Sequence, residues 1–149
     1  MTTANLIDFV PATASNAGDA REWAVCGWKG VSRSKHDSTA YDRSSDVNVG
    51  SEHISVKSSK FTLMSGTLCR GLDSFDAIWN LYAENAHSNR WVYVTADYTA
   101  YEMDKNEFQQ FVYQFCGLEK DSVKNGGNWK IRCKAESKKM LKYLEAHCL

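Results

Sequence analysis

Apolar residues recur at helical spacing in three stretches of the chain. Phe75, Ile78, Trp79 and Tyr82 stand at i, i+3, i+4 and i+7 within DSFDAIWNLYAENA, which marks one buried stripe of a helix. Phe108, Phe111, Val112 and Phe115 share a face in DKNEFQQFVYQFCG, where Asp104 and Glu107 have capping-box spacing and Gly117 offers a stop. Met140, Tyr143, Leu144 and His147 fall on one side of SKKMLKYLEAHC. A further helix is expected over DAREWAVCGWKG, with Asp19 as N-cap, Glu22 three residues later, and Trp23, Val25, Cys26 and Trp28 as apolar surface.

Between these stretches the period shortens to two. DVNV and HISVK alternate apolar and polar residues on either side of Gly50-Ser51 and predict a hairpin, whose second strand SKFTLMSG extends. RWVYVTAD, TAYEM and, after a KNGG turn, NWKIRCK read as strands, and a short strand is expected at Leu6 to Val10. SRSKHDSTAYDRSS is polar and irregular, a loop. The order α-β-β-α-β-β-α-β-α predicts an α/β or α+β fold with a mixed central β-sheet flanked by helices. No repeat or linker divides the chain, so residues 1 to 18, with the only proline, are expected as a flexible lead-in and 19 to 149 as one domain.

Composition narrows the function classes. At 149 residues and 43% hydrophobic, the chain can bury a core without a metal or disulfide staple. No apolar run approaches the roughly 20 residues of a membrane span, and no charged segment leads into an apolar one at the N-terminus. A soluble cytoplasmic protein with no membrane partner is the expectation. The formal net charge of zero speaks against a coating-type nucleic-acid binder, although residues 119 to 149 carry eight Lys/Arg against four Asp/Glu, a local excess suited to phosphates or to a solvated face. The five cysteines show no CxxC, which predicts buried free thiols rather than a zinc knuckle or disulfide framework.

The hairpin carries the candidate chemistry. Val47 and Val49 share one face and Asp46 and Asn48 the other; Ile54 and Val56 share a face opposite His53, Ser55 and Lys57. Asp46 and Lys57 are thus expected across from each other with Ser55 nearby. An acid, a hydroxyl and a lysine projecting together suit phosphodiester hydrolysis, since Mg²⁺ takes a few carboxylate oxygens beside waters and phosphate oxygens, and an ammonium stabilises phosphate charge. His36 and His53 lack metal-ligand spacing, and no nucleophile elbow surrounds Ser55. The aromatic stripes on the helices read as core, which leaves Trp129 as the aromatic best placed to stack on a base.

Asp46, ten residues, then Lys57 in an apolar second strand, after a helix bearing Glu22, resembles the PD-(D/E)XK superfamily of metal-dependent nucleases in element order from about Asp19 to Phe115. The resemblance implies a restriction-endonuclease-like fold and metal-dependent hydrolysis of DNA phosphodiester bonds with Mg²⁺, or Mn²⁺ in its place. It makes Asp46 the metal-binding aspartate, Lys57 the catalytic lysine and Glu22 a helix carboxylate that adds a ligand or orients water. The D/E-x-K element stands as Ser55-Val56-Lys57, so the second acidic ligand is missing; Glu22 is its expected substitute ahead of Glu52. Ser58, Ser59 and Lys60, with Arg33, Lys35 and Arg43 in the preceding loop, are the expected DNA contacts. Cutting both strands of a duplex usually requires two active sites, which makes a homodimer compatible with this activity. The alternative is a non-catalytic nucleic-acid- or protein-binding domain that keeps the nuclease-like fold and uses its basic 120 to 142 region; an interaction module of a phage or mobile element is a third.

Overall fold

The computed structural model describes residues 2–14, 16–31, 46–64 and 66–147. Among these described residues eight strands and four α-helices follow in the order β1 (Thr2–Asn5), α1 (Ala17–Lys29), β2 (Val47–Val49), β3 (Glu52–Lys57), β4 (Thr62–Leu63), α2 (Phe75–Asn85), β5 (Arg90–Val94), β6 (Thr99–Met103), α3 (Lys105–Phe115), β7 (Cys116–Lys120), β8 (Trp129–Cys133) and α4 (Lys138–Ala146). The fold is mixed α+β. Its main sheet is five-stranded, in the order β1-β6-β5-β3-β2, and a second, three-stranded sheet runs β4-β8-β7.

In the main sheet β3 and β5 run parallel, with Ser55 beside Trp91 and Lys57 beside Tyr93, while the other neighbours are antiparallel. Alternation along the strands therefore divides the sheet into two faces. One carries Val47, Ile54, Val92, Val94 and Ala100 and packs against Ala24, Val25 and Cys26 of α1. The other carries Trp91, Tyr93, Tyr101 and Met103, which join Ile78 and Trp79 of α2, Phe108, Phe111, Val112 and Phe115 of α3, and Met140 and Leu144 of α4 in the larger core. The α3 stripe is thus buried in full, whereas Phe75, Tyr82 and Tyr143 of the other two are half-buried and His147 is exposed; Phe108 stacks on Trp91 with ring centroids 5.0 Å apart and planes 4° from parallel.

Several elements differ from the sequence expectation, each for a local reason. The strand expected at Leu6 to Val10 lies earlier, at Thr2–Asn5, where backbone pairing with β6 holds a polar edge strand; Leu6 is fully buried and Ile7–Phe9 form a 3₁₀ turn. Helix α1 begins two residues before Asp19, because the Asn16 side chain accepts the Asp19 N–H at 2.8 Å and so supplies the cap. Gly27 lets α1 lie against that 3₁₀ turn, since a Cβ there would stand 2.9 Å from Phe9. The second hairpin strand does not run on through Ser58, Ser59 and Lys60. It ends at Lys57; the three residues turn, with Lys60 at φ 61°, and the chain crosses to the second sheet as β4. Gly117 does not stop α3 in a left-handed cap. The chain passes directly from Phe115 into β7, and Gly117 pairs with Arg132.

Helix caps elsewhere follow the sequence. Asp104 accepts the Glu107 N–H at 2.8 Å while Glu107 accepts the Asp104 N–H at 3.0 Å, a complete capping box. Ser74 and Ser137 cap α2 and α4 through their side chains. No helix among the described residues is long and apolar enough to cross a membrane.

Candidate active site at the carboxyl ends of β3 and β5

The β2–β3 register pairs Val47 with Ile54, Asn48 with His53 and Val49 with Glu52. Continued by one residue, it sets Asp46 opposite Ser55 and leaves Lys57 two residues further along the same face. Asp46 and Lys57 are therefore diagonal rather than directly opposed. Their shared face is evident at its near end, where the His53 ring nitrogen Nδ1 lies 2.6 Å from Asn48 Oδ1.

Asp46 stands just ahead of β2, and its carboxylate accepts the Val56 N–H at 2.8 Å. Val56 lies beyond the last β2–β3 pair, so the carboxylate takes the place of a ladder carbonyl and holds the open end of the hairpin. Ser55 is nearly buried at 8% exposure. It sits beside Trp91 on β5, a position where an ionised acid would lose much of its hydration.

Lys57 ends β3, half-buried, with its ammonium 5.9 Å from the centre of the Phe61 ring. Beside it in the parallel register is Tyr93, which is fully buried and extends its hydroxyl to Glu136, Oη donating to Oε1 at 3.1 Å. The other Glu136 oxygen accepts the Ala96 N–H at 3.3 Å, and the Glu136 N–H donates to Ser59 Oγ at 3.0 Å. Burial first, and then the Glu136 carboxylate, push the Tyr93 phenol well above the ordinary tyrosine range, so it remains a proton donor to that carboxylate. Next to it Thr95 donates to Asp97, and hydrogen bonds from Thr95 and Thr99 hold the Asp97 carboxyl below its usual range.

Glu136 was not legible in the sequence. It lies between a strand and a helix with no motif around it, and its only signal is spatial: the end of β3 through Ser59 and the end of β5 through Tyr93 and Ala96. In strand order Asp46 flanks β3 on the β2 side and Glu136 lies on the β5 side, with Lys57 on the strand between them.

Glu22 is placed differently. Alternation gives Asp46, Ser55 and Lys57 to the face that carries Trp91 and Tyr93, whereas α1 packs on the other face, and Glu22 raises the pKa of the buried Cys26 thiol there after the larger effect of burial. The helix that carries Glu22 thus packs on the face opposite to the one alternation gives Asp46. Ser59 is engaged by Glu136, Lys60 is exposed in the turn after β3, and Arg33, Lys35, His36 and Arg43 lie outside the described residues. Trp129 is half-buried in β8, with the Lys120 ammonium 5.8 Å from its ring centre.

An open polar cleft of about 280 Å³ is lined by Thr2, Lys29, Glu52, Arg90, Glu102 and Glu107. It lies at the amino ends of β3 and β5, away from Lys57 and Tyr93, and its main polar contact is the Lys29–Glu102 ion pair at 2.8 Å. Glu52 belongs to this cleft. Among the described residues no group of three or more His, Cys, Asp or Glu side chains is gathered as a metal site. No family model, curated protein or solved structure matches the chain.

Proposed function

We propose that the chain is a metal-dependent nuclease with a restriction-endonuclease-like core, acting on DNA phosphodiester bonds at the carboxyl ends of β3 and β5. The observation that carries this reading is the placement of Lys57 and Tyr93 side by side at the end of a parallel strand pair, with Asp46 on one flank and Glu136 on the other. The carboxyl end of parallel strands is where α/β sheets commonly present ligand-binding side chains. Donor chemistry fits magnesium: Asp46 and Glu136 offer hard carboxylate oxygens, and Mg²⁺ needs only one or two of these because it keeps several waters. When bound, the ion would lower the pKa of the attacking water and neutralise phosphate charge.

The chain's own residues divide the remaining work. Lys57 supplies a cation to the non-bridging phosphate oxygens as charge builds on them. Tyr93, buried and un-ionised, fixes Glu136 through its hydroxyl, and the Ser59 hydroxyl oxygen accepts the Glu136 backbone N–H. Lys138, Lys139 and Lys142 are exposed within one arc of α4 and can meet the DNA backbone. Calorimetric titration with Mg²⁺ tests the site apart from turnover. Heat of binding that weakens in both Asp46→Asn and Glu136→Gln supports it, and no heat from the folded wild-type protein contradicts it.

A second reading rests on a separate observation. Ser55 is uncharged and the Asp46 carboxylate is committed to the Val56 N–H, which is how a nuclease-like fold retained for binding alone would look. It predicts DNA binding through α4 with neither Mg²⁺ heat nor cleavage.

A further inference from the structure

The second sheet places two cysteines directly opposite each other, Cys116 in β7 and Cys133 in β8. The hydrogen bonds on either side establish which kind of pair this is. Lys134 N–H donates to the Phe115 carbonyl at 3.0 Å, while Cys133 N–H turns the other way, to the Phe61 carbonyl at 2.8 Å. Cys116 and Cys133 therefore form a non-hydrogen-bonded antiparallel pair, the class with Cα atoms closest, about 4.5 Å apart. That spacing lies within the roughly 4.4 to 6.8 Å that a disulfide spans.

Both cysteines are free thiols, and both face the larger core. Its neighbour Cys133, followed by burial, pushes the Cys116 thiol up, so its exchange with a small disulfide is slow at neutral pH and quickens as pH rises. Cys133 is 2% exposed, whereas Cys116 is half-buried where α3 runs into β7. Cys116 is thus the residue a small disulfide meets first.

We propose that Cys116 and Cys133 are an oxidation site, a cross-strand dithiol that a small-molecule disulfide converts into an intramolecular disulfide. Cys116 loses its proton and its sulfur attacks one sulfur of the small disulfide, forming a mixed disulfide and expelling one small thiolate, which takes up that proton. Cys133 then loses its proton and attacks Cys116 Sγ, expelling the second small thiolate, which is protonated in turn. Two protein thiols are oxidised and one small disulfide is reduced to two thiols. The product ties the end of α3 to β8, and from there to the segment that carries Glu136; the inference does not depend on the nuclease activity.

The test is oxidation of the native protein with glutathione disulfide, followed by alkylation of remaining thiols and peptide mapping by mass spectrometry. The expected result is a Cys116–Cys133 linked peptide with two hydrogens lost, reversed by dithiothreitol. Cys133→Ser should instead accumulate a glutathione adduct on Cys116, and Cys116→Ser should leave Cys133 largely unmodified. Wild-type protein in which both thiols still alkylate fully, or in which either links only to another cysteine, overturns the proposal without recourse to the variants.

Discussion

Tyr93 and Glu136 are joined by a hydrogen bond that connects the buried centre of the main sheet to the segment leading into α4, Oη to Oε1 at 3.1 Å. The phenol belongs to the large core, packing against Phe111 with ring centroids 5.5 Å apart, and its hydroxyl is the point at which that core reaches a carboxylate. Through this bond and the Ser59 contact, Glu136 is fixed at the ends of two strands far from it in sequence.

Tyr93→Phe removes the hydroxyl while leaving the ring in place. A hydrogen bond to a charged acceptor is worth about 1.5 kcal/mol or somewhat more, so urea denaturation should show a loss of that order. Tyr93→Ala adds a cavity and should cost about 3 to 5 kcal/mol. If Tyr93→Phe is neutral in stability and leaves Mg²⁺ affinity unchanged, Tyr93 has no positioning role.

Asp46 closes the hairpin through the Val56 amide. Asp46→Ala strands a part-buried donor and should destabilise by about 1 to 3 kcal/mol, with faster hydrogen exchange at Val56; Asp46→Asn keeps an acceptor oxygen and should cost less. The pair separates two roles for one residue, since Asp46→Asn should spare the hairpin and still impair cleavage.

Tyr113 donates to Asp76 at 2.6 Å, and burial followed by the Asp76 carboxylate raises its pKa to about 12. The folded protein therefore holds this proton more tightly than the unfolded chain, whose tyrosines titrate near 10. The contribution to stability is fully present below pH about 10 and is lost as pH rises through about 12. Ultraviolet titration of wild type against Asp76→Asn should show one phenol titrating earlier in the variant, and identical curves would contradict the assignment.

Lys138, Lys139 and Lys142 occupy one exposed arc of α4. If they meet phosphates, each charge reversal should weaken DNA binding roughly equally for all sequences and reduce the slope of log K against log salt by about one per lost contact. Unchanged binding in the double variant Lys138→Glu with Lys139→Glu would remove α4 from the interface.

The helices were legible because period and cap chemistry agree: Phe108, Phe111, Val112 and Phe115 between Asp104 and the end of α3 leave little choice of structure. The hairpin was legible as alternation, but its register was not, and the register sets Asp46 opposite Ser55. The pairing of β7 with β8 was hidden because Leu118, Glu119 and Lys120 are exposed and carry no apolar alternation. Strand β1 was hidden for a similar reason, since Thr2–Asn5 pairs through its backbone and has no buried residue to show. Neither Glu136 nor the facing cysteines could be found along the chain, because each depends on contacts between segments distant in sequence. The side of the sheet that α1 covers was equally out of reach.

Nuclease activity at the ends of β3 and β5 is read most directly from nicking of supercoiled plasmid, with single-stranded DNA in parallel, by wild type, Lys57→Ala and Glu136→Gln in Mg²⁺, Mn²⁺ or EDTA. The expected result is cleavage by wild type with either metal, none in EDTA, and a loss of at least tenfold in each variant while both remain folded. Cleavage that survives Lys57→Ala, or a folded wild-type protein that cuts neither substrate with either metal, would contradict it.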